Sequence, residues 1–145
     1  MFRAKEIDYS KGVKPIREGL FTIPGAGSTE KPMLIGSKCK LCDHKFFPQR
    51  HICPYCFRDD VLEPVFLSRK GKLYSYCTVQ TPPPGFDEPY VIGHVDIEDG
   101  LKIFSQITDC EFSEVRPGME LELTLRRLAE DEEKNQIVCY MFKPI

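Results

Sequence analysis

Between Met119 and Arg126 apolar and polar residues alternate without a break, with Met119, Leu121, Leu123 and Leu125 facing one way and Glu120, Glu122, Thr124 and Arg126 the other. Period two is the mark of a strand with one face in a core and the other in water. Similar stretches fill the second half of the chain. Residues 72–80 are rich in aromatic and β-branched types, Val91, Val95 and Ile97 share one face of segment 90–98, and return strands are expected at 101–107 and around 136–142. Asp99-Gly100 predicts a tight hairpin turn whose two central residues both tolerate positive φ. Pro117-Gly118 is a turn pair that opens the alternating strand.

The chain therefore reads as mainly β, with a five-stranded barrel over residues 61–145. One central hairpin and a short connector at 109–118, where an OB-fold carries its small helix between strands three and four, make the OB-fold the best match. Its first inter-strand loop, 81–89, is stiffened by Pro82, Pro83, Pro84 and Pro89 and holds Phe86. Such a loop suits an apolar chain-like ligand or a protein surface better than a phosphate backbone. Pro82, Pro83, Pro84 and Phe86 are accordingly the predicted partner-facing or ligand-facing loop. Residues 1–32 follow neither period for long and contain four glycines and three prolines, which predicts an extended arm. Ile16, Leu20, Phe21 and Ile23 are more apolar than a solvated tail needs, so docking onto the barrel or onto a partner competes with a floppy tail.

Residues 33–60 change the picture through their chemistry. Cys39-x2-Cys42 and Cys53-x2-Cys56, separated by ten residues, form two knuckles joined by a short hairpin that includes Phe46-Phe47. Four thiolates at that spacing make the tetrahedral set of a closed Zn2+ site, so Cys39, Cys42, Cys53 and Cys56 are the predicted ligands of a structural zinc ribbon. Iron in the same four sulfurs would make an electron carrier, but nothing in the attached barrel suggests a redox partner. His44 and His51 are read as surface or supporting residues. Cys77, Cys110 and Cys139 invite a nucleophile hypothesis, yet strand cysteines commonly pack as small apolar residues, and no catalytic residue is assigned to this chain.

The seven cysteines are odd in number and four sit at metal spacing, which argues against a secreted disulfide framework. The first residues lack an apolar signal core and no run reaches membrane-spanning length, so a cytoplasmic protein without a membrane anchor is expected. Net charge is only −2, but residues 1–72 hold fourteen Lys and Arg against eight Asp and Glu, and residues 73–145 hold six against fourteen. Lys45, Arg50, Arg69, Lys70 and Lys72 form the basic band of the ribbon and its junction with the barrel. A solvated face explains them; so does a grip on the 3′-phosphate and pyrophosphate of CoA.

The order Lys38-Cys39-x2-Cys42, Phe46-Phe47-Pro48-x-Arg50, Cys53-Pro54-x-Cys56, Gly71-x-Leu73-Tyr74-Ser75-Tyr76, Pro89-Tyr90-Val91-Ile92, Glu98-Asp99-Gly100 and Pro117-Gly118-Met119 resembles a family of small OB-fold proteins with a rubredoxin-like zinc ribbon. Its members accompany thiolases and related condensing enzymes, and the resemblance spans about residues 33–143. It implies a non-catalytic accessory subunit that binds a thiolase-like catalytic chain and helps form its acyl-CoA site. Gln49, the Arg69-Lys70-Gly71 run and the Gly/Pro-containing arm depart from the family pattern, the last of them touching how the partner docks. The competing reading is a single-stranded nucleic-acid module, since ribbons and OB barrels both bind such strands. The acidic barrel half, the lack of tryptophan and the scarcity of basic residues among the strand aromatics speak against it.

Overall fold

The computed structural model describes residues 3–25, 29–84 and 89–145. Strands dominate: β1 (Val13–Pro15), β2 (Ile35–Cys39), β3 (Lys45–Phe46), β4 (Leu62–Phe66), β5 (Lys70–Val79), β6 (Tyr90–Ile97), β7 (Lys102–Ile107), β8 (Glu120–Glu130) and β9 (Gln136–Pro144). Among the described residues the one helical turn is 3-10, at Phe112–Glu114, in the connector where the barrel pattern calls for a helix.

Strands β5 to β9 close on themselves. Their order is β9-β7-β6-β5-β8, and β8 pairs again with β9, so the sheet forms the five-stranded OB barrel expected. Alternation puts Leu121, Leu123 and Leu125 of β8 with Val91 and Val95 of β6, Ile103 and Ile107 of β7 and Phe142 of β9 in one core. Burying each such side chain stabilises the fold by about 1.5–3 kcal/mol relative to leaving it in water. Coiling the sheet needs local relief, and β5 supplies it. Leu73 faces Val95 and Ser75 faces His94, so Tyr74 is an extra residue, a bulge. Gly93 sits beside it, where a Cβ would lie 2.6 Å from the Ser75 carbonyl oxygen and 2.9 Å from the Leu73 side chain.

The β6–β7 turn differs from the expected two-residue form. Only Gly100 has positive φ, and its N–H donates to the Ile97 carbonyl, giving a turn through Glu98 and Asp99 followed by a left-handed glycine. This three-residue hairpin loop leaves Asp99 in ordinary backbone geometry. The Asp99 carboxylate accepts from the Ser68 N–H at 2.7 Å and from the Lys45 ammonium at 2.8 Å. Burial opposes the charge on Asp99, but the Lys45 ammonium and the Ser68 N–H outweigh it and hold the carboxyl below its usual range.

The arm is no floppy tail. β1 pairs in parallel with β9 at Gln136–Val138, on the side of β9 that β7 joins only at Phe142. The buried Gln136 amide accepts from the Asp8 N–H at 2.9 Å and donates to the Asp8 carbonyl at 2.6 Å. The Ala4 N–H donates to Thr108 Oγ1, and Phe21 enters the barrel core. The arm also explains a departure from the alternation in β8, where Thr124 and Arg126 were expected on the wet face. Both are buried, because Lys5 pairs with Arg127 and Glu6, Ile7 and Tyr9 line the same pocket as Thr124 and Arg126.

Strands β3, β2 and β4 form a separate three-stranded sheet that carries the cysteines. Its third strand, Leu62–Phe66, comes from a stretch that the sequence pattern groups with the barrel. Leu34 and Leu67 continue the barrel core into the foot of this sheet, and Phe47 packs edge-on against Tyr140, with ring centres 5.5 Å apart.

Candidate metal centre and surrounding surfaces

Each cysteine pair sits in a knuckle with the same backbone plan. The Cys39 N–H donates to the His44 carbonyl and the Asp43 N–H to the Cys39 carbonyl; in the second knuckle the Cys53 N–H donates to the Arg58 carbonyl and the Phe57 N–H to that of Cys53. The residue after each second cysteine, Asp43 or Phe57, takes a left-handed conformation, φ 60° and 58°. These turns aim the four sulfurs inward. All four Sγ atoms lie within 4.8 Å of one another, with Cys39–Cys56 at 3.8 Å and Cys42–Cys53 at 3.7 Å.

A tetrahedral zinc with Zn–S bonds of about 2.3 Å has sulfur–sulfur edges of about 3.8 Å, so the residues present fit the metal. Hydrogen bonding and burial act on the thiols in opposite directions. The Cys42 N–H aimed at its sulfur is the first cause that draws Cys39 down to about 7, while burial, then the neighbouring thiols, push Cys56 up to about 12. Four thiols in one cluster ionise together only around a cation. Zinc supplies folding energy here, because four protein sulfurs leave no open position for substrate or water. A small satellite core of Val61, Phe46 and Leu62 packs beside the cysteines.

The two histidines of the ribbon stay outside the sulfur cluster. His44 stacks on Tyr55 at 3.9 Å between ring centres, and both it and His51 are exposed. Of the remaining cysteines, Cys139 is pushed up to about 11 by burial, and burial followed by Glu114 and Glu111 raises Cys110. A thiol held protonated at neutral pH is a poor nucleophile. Cys77 is exposed on β5, opposite Ile92 rather than His94.

The basic band does not converge. Lys45 is held by Asp99, and Arg69 donates from Nε to the Pro32 carbonyl and from Nη2 to the Leu123 carbonyl, both at 2.9 Å. These two cations tie the ribbon and the segment before it to the barrel. Arg50 lies over the Phe46 ring, 5.5 Å from its centre. Lys70 and Lys72 are exposed on β5 beside a pocket that also contains Asp96, Glu98 and Glu120, a setting with more carboxylates than cations. In the loop after β5, Pro83 and Pro84 are exposed and Pro82 half-buried; Phe86 lies outside the described residues.

Sequence reasoning missed an aromatic surface on the barrel. Tyr74, Phe104 and His94 are exposed on β5, β7 and β6; the His94 and Phe104 rings are 5.4 Å apart, and the Lys102 ammonium sits 4.1 Å from the Tyr74 ring centre. The bulge hid it. An extra residue at Tyr74 breaks the alternation, and Tyr74, Ser75, Tyr76 and Cys77 are all exposed, which a period-two pattern does not predict. Among the described residues no helix is long and apolar enough to cross a membrane.

Fold and site together define a class: a tetrathiolate zinc ribbon welded to a closed OB barrel. Two family models match it piece by piece, the ChsH2 rubredoxin-like zinc ribbon domain over residues 31–61 and the ChsH2 C-terminal OB-fold domain over residues 64–126. The chain belongs to the DUF35 family. It is 43% identical over 119 residues to a DUF35 domain-containing scaffold protein of Methanocaldococcus jannaschii, covering 80% of this chain and 84% of that one. It is 34% identical over 114 residues to the benzoylsuccinyl-CoA thiolase subunit BbsA of Thauera aromatica, covering 79% and 78%. Among solved structures it resembles a chain of the Ltp2-ChsH2(DUF35) aldolase, with TM-score 0.66 and 26% identity over 77% of this chain and 84% of that one.

Proposed function

We propose that this chain is a non-catalytic subunit of a thiolase or a related enzyme that makes or breaks carbon–carbon bonds in acyl-CoA substrates. The observation that carries the reading is the 34% identity, across four-fifths of the chain, to a protein described as a thiolase subunit. The likeness to a chain of an aldolase complex supports it from the side of structure. The higher identity to a scaffold protein favours the general role over benzoylsuccinyl-CoA in particular. In chemical terms, the zinc offers no reactive position and two of the non-ligand thiols are held protonated, so bond-making belongs to a catalytic chain with its own nucleophile and oxyanion hole.

The contribution of this chain is then to shape or stabilise the acyl-CoA site of its partner. Lys45 and Arg69 are committed to the fold, which leaves Arg50, Lys70 and Lys72 as the candidates for the CoA phosphates. Cations of the partner would have to offset Asp96, Glu98 and Glu120 nearby. Pro82, Pro83, Pro84 and Phe86 remain the proposed loop toward the partner. Co-expression with a thiolase-like chain of the same organism tests the reading: the two co-purify and acyl-CoA turnover requires both. Separate elution, with full turnover by the catalytic chain alone, contradicts it.

A second reading rests on the aromatic surface of Tyr74, His94 and Phe104, since aromatic faces on OB strands stack single-stranded bases. Oligonucleotide binding that weakens steeply with salt would favour it. The carboxylates around that half of the barrel favour the first reading.

A further inference from the structure

The arm docks on the barrel in two unlike stretches. From Asp8 onward it is anchored: the buried Gln136 amide takes both backbone groups of Asp8, the Gly12 carbonyl accepts from the Gln136 N–H at 2.8 Å, β1 pairs with β9, and Phe21 sits in the core. Residues 3–7 hold on by far less. Among the described residues two backbone hydrogen bonds tie this stretch to the barrel, from the Ala4 N–H to Thr108 Oγ1 at 2.8 Å and from the Arg127 N–H to the Lys5 carbonyl at 2.9 Å. Ala4 is its one buried side chain, seated on Met141; Ile7 is half-buried, and Arg3, Lys5 and Glu6 are exposed. The Arg3 side chain is 60% exposed, so its pairs with Glu6 and Asp109 are solvated and hold little.

What this stretch covers is unfavourable to bury. Glu6 and Ile7 line a pocket of 240 Å³ together with Thr124 and Arg126 of β8. The Arg126 guanidinium donates from Nη1 to Thr124 Oγ1 at 2.6 Å and from Nη2 to Asp109 at 2.8 Å, while its Nε is buried without an acceptor, the one such side-chain atom among the described residues. A desolvated N–H left unpaired carries a penalty that water would remove. Closing residues 3–7 therefore gains two hydrogen bonds and a methyl contact, and loses the backbone freedom of five residues and the hydration of Nε. Gains and losses of that kind nearly cancel. We propose that residues 3–7 are a strap that opens and closes over Arg126 as one unit, pivoting at the Asp8–Gln136 bonds while the rest of the arm stays down. Opening frees the pocket and the edge of β8 at Arg127 together, so the same five residues gate access to both. The gate is a property of this chain alone and does not depend on the accessory-subunit reading.

Amide hydrogen exchange of the full zinc-loaded chain tests the proposal, because β8 carries its own control. The Leu123 N–H donates to the Arg69 carbonyl within the barrel, and the Arg127 N–H, further along the same strand, donates to Lys5 of the strap. In wild type the protection factors of Ala4 and Arg127 are expected to agree within about threefold and to lie about 100-fold or more below that of Leu123, since local opening spares the barrel. Ala4→Asp sets a charge against Met141 and alters the strap alone. Arg127 is then expected to lose about a further tenfold in protection, with Leu123 and the melting temperature unchanged. Protection of Arg127 within about threefold of Leu123 in wild type overturns the proposal, because the stretch then opens only with the barrel. So does Ala4→Asp that leaves Arg127 unchanged, since residues 3–7 then do not move as a unit, or that lowers Leu123 equally, since the stretch is then an integral wall of the barrel.

Discussion

The ribbon and the barrel hold themselves together in opposite ways. The barrel has strands of six to eleven residues whose alternating apolar side chains meet in one closed core. The ribbon has strands of two to five residues and a satellite core consisting largely of its own metal ligands. Large exposed apolar residues follow the same division: Leu41, Ile52, Tyr55, Phe57 and Phe66 belong to the ribbon or its sheet, while the barrel shows Tyr74, Tyr76 and Phe104 on its strands. A module clamped by metal does not need its apolar side chains for a core, and so can present them outside. The barrel, which depends on its core, presents fewer.

The largest test of this difference is metal removal. Chelation, or Cys53→Ser, is expected to remove stabilisation on the order of 10 kcal/mol from the ribbon. Amide exchange would then show protection lost at 35–66 and retained in β6 to β9; simultaneous loss of both would mean that the barrel also depends on the zinc.

Smaller effects probe the joints. Asp99→Ala strips the Ser68 N–H and the Lys45 ammonium of their acceptor, and a cost of about 2 kcal/mol in urea unfolding is expected. Because the folded carboxyl titrates below its usual value, its contribution is complete above the unfolded pKa of about 3.9 and is lost as pH falls through the lower folded value. Wild type should therefore lose more stability between pH 6 and pH 3 than Asp99→Ala does; parallel curves would remove Asp99 from the joint. Gln136→Ala leaves the Asp8 backbone groups under the arm without partners and should cost about 1–3 kcal/mol. Faster exchange confined to β1 and residues 4–8 would accompany it. Least of all, Tyr74→Ala should cost under about 1 kcal/mol, since its contact with Lys102 is solvated.

The parts legible in the sequence were those set by local spacing. The cysteine knuckles are recognisable because ligand geometry fixes the intervals, and the barrel strands because period two survives wherever one face is buried. What escaped depended on distant residues. Nothing around Asp8 announces that Gln136 will bond it, and no local signal gives Leu62–Phe66 to β2. Lys45 and Arg69 read as a solvated face or a grip on phosphates, because their acceptors, Asp99 and two carbonyls, are remote in the chain. The turn at Asp99 departs from expectation for the same reason: Asp-Gly permits two loop lengths, and the second suits the contacts Asp99 makes with Ser68 and Lys45.

The central claim is that this chain supports acyl-CoA chemistry without performing it. The most direct measurement is steady-state turnover of an acyl-CoA substrate by the thiolase-like catalytic chain alone, by this zinc-loaded chain alone, and by the two mixed at equal concentration. Activity in the mixture far above the sum of the two separate rates, with none from this chain, is the predicted result. Turnover by this chain in isolation at the rate of the mixture would contradict it.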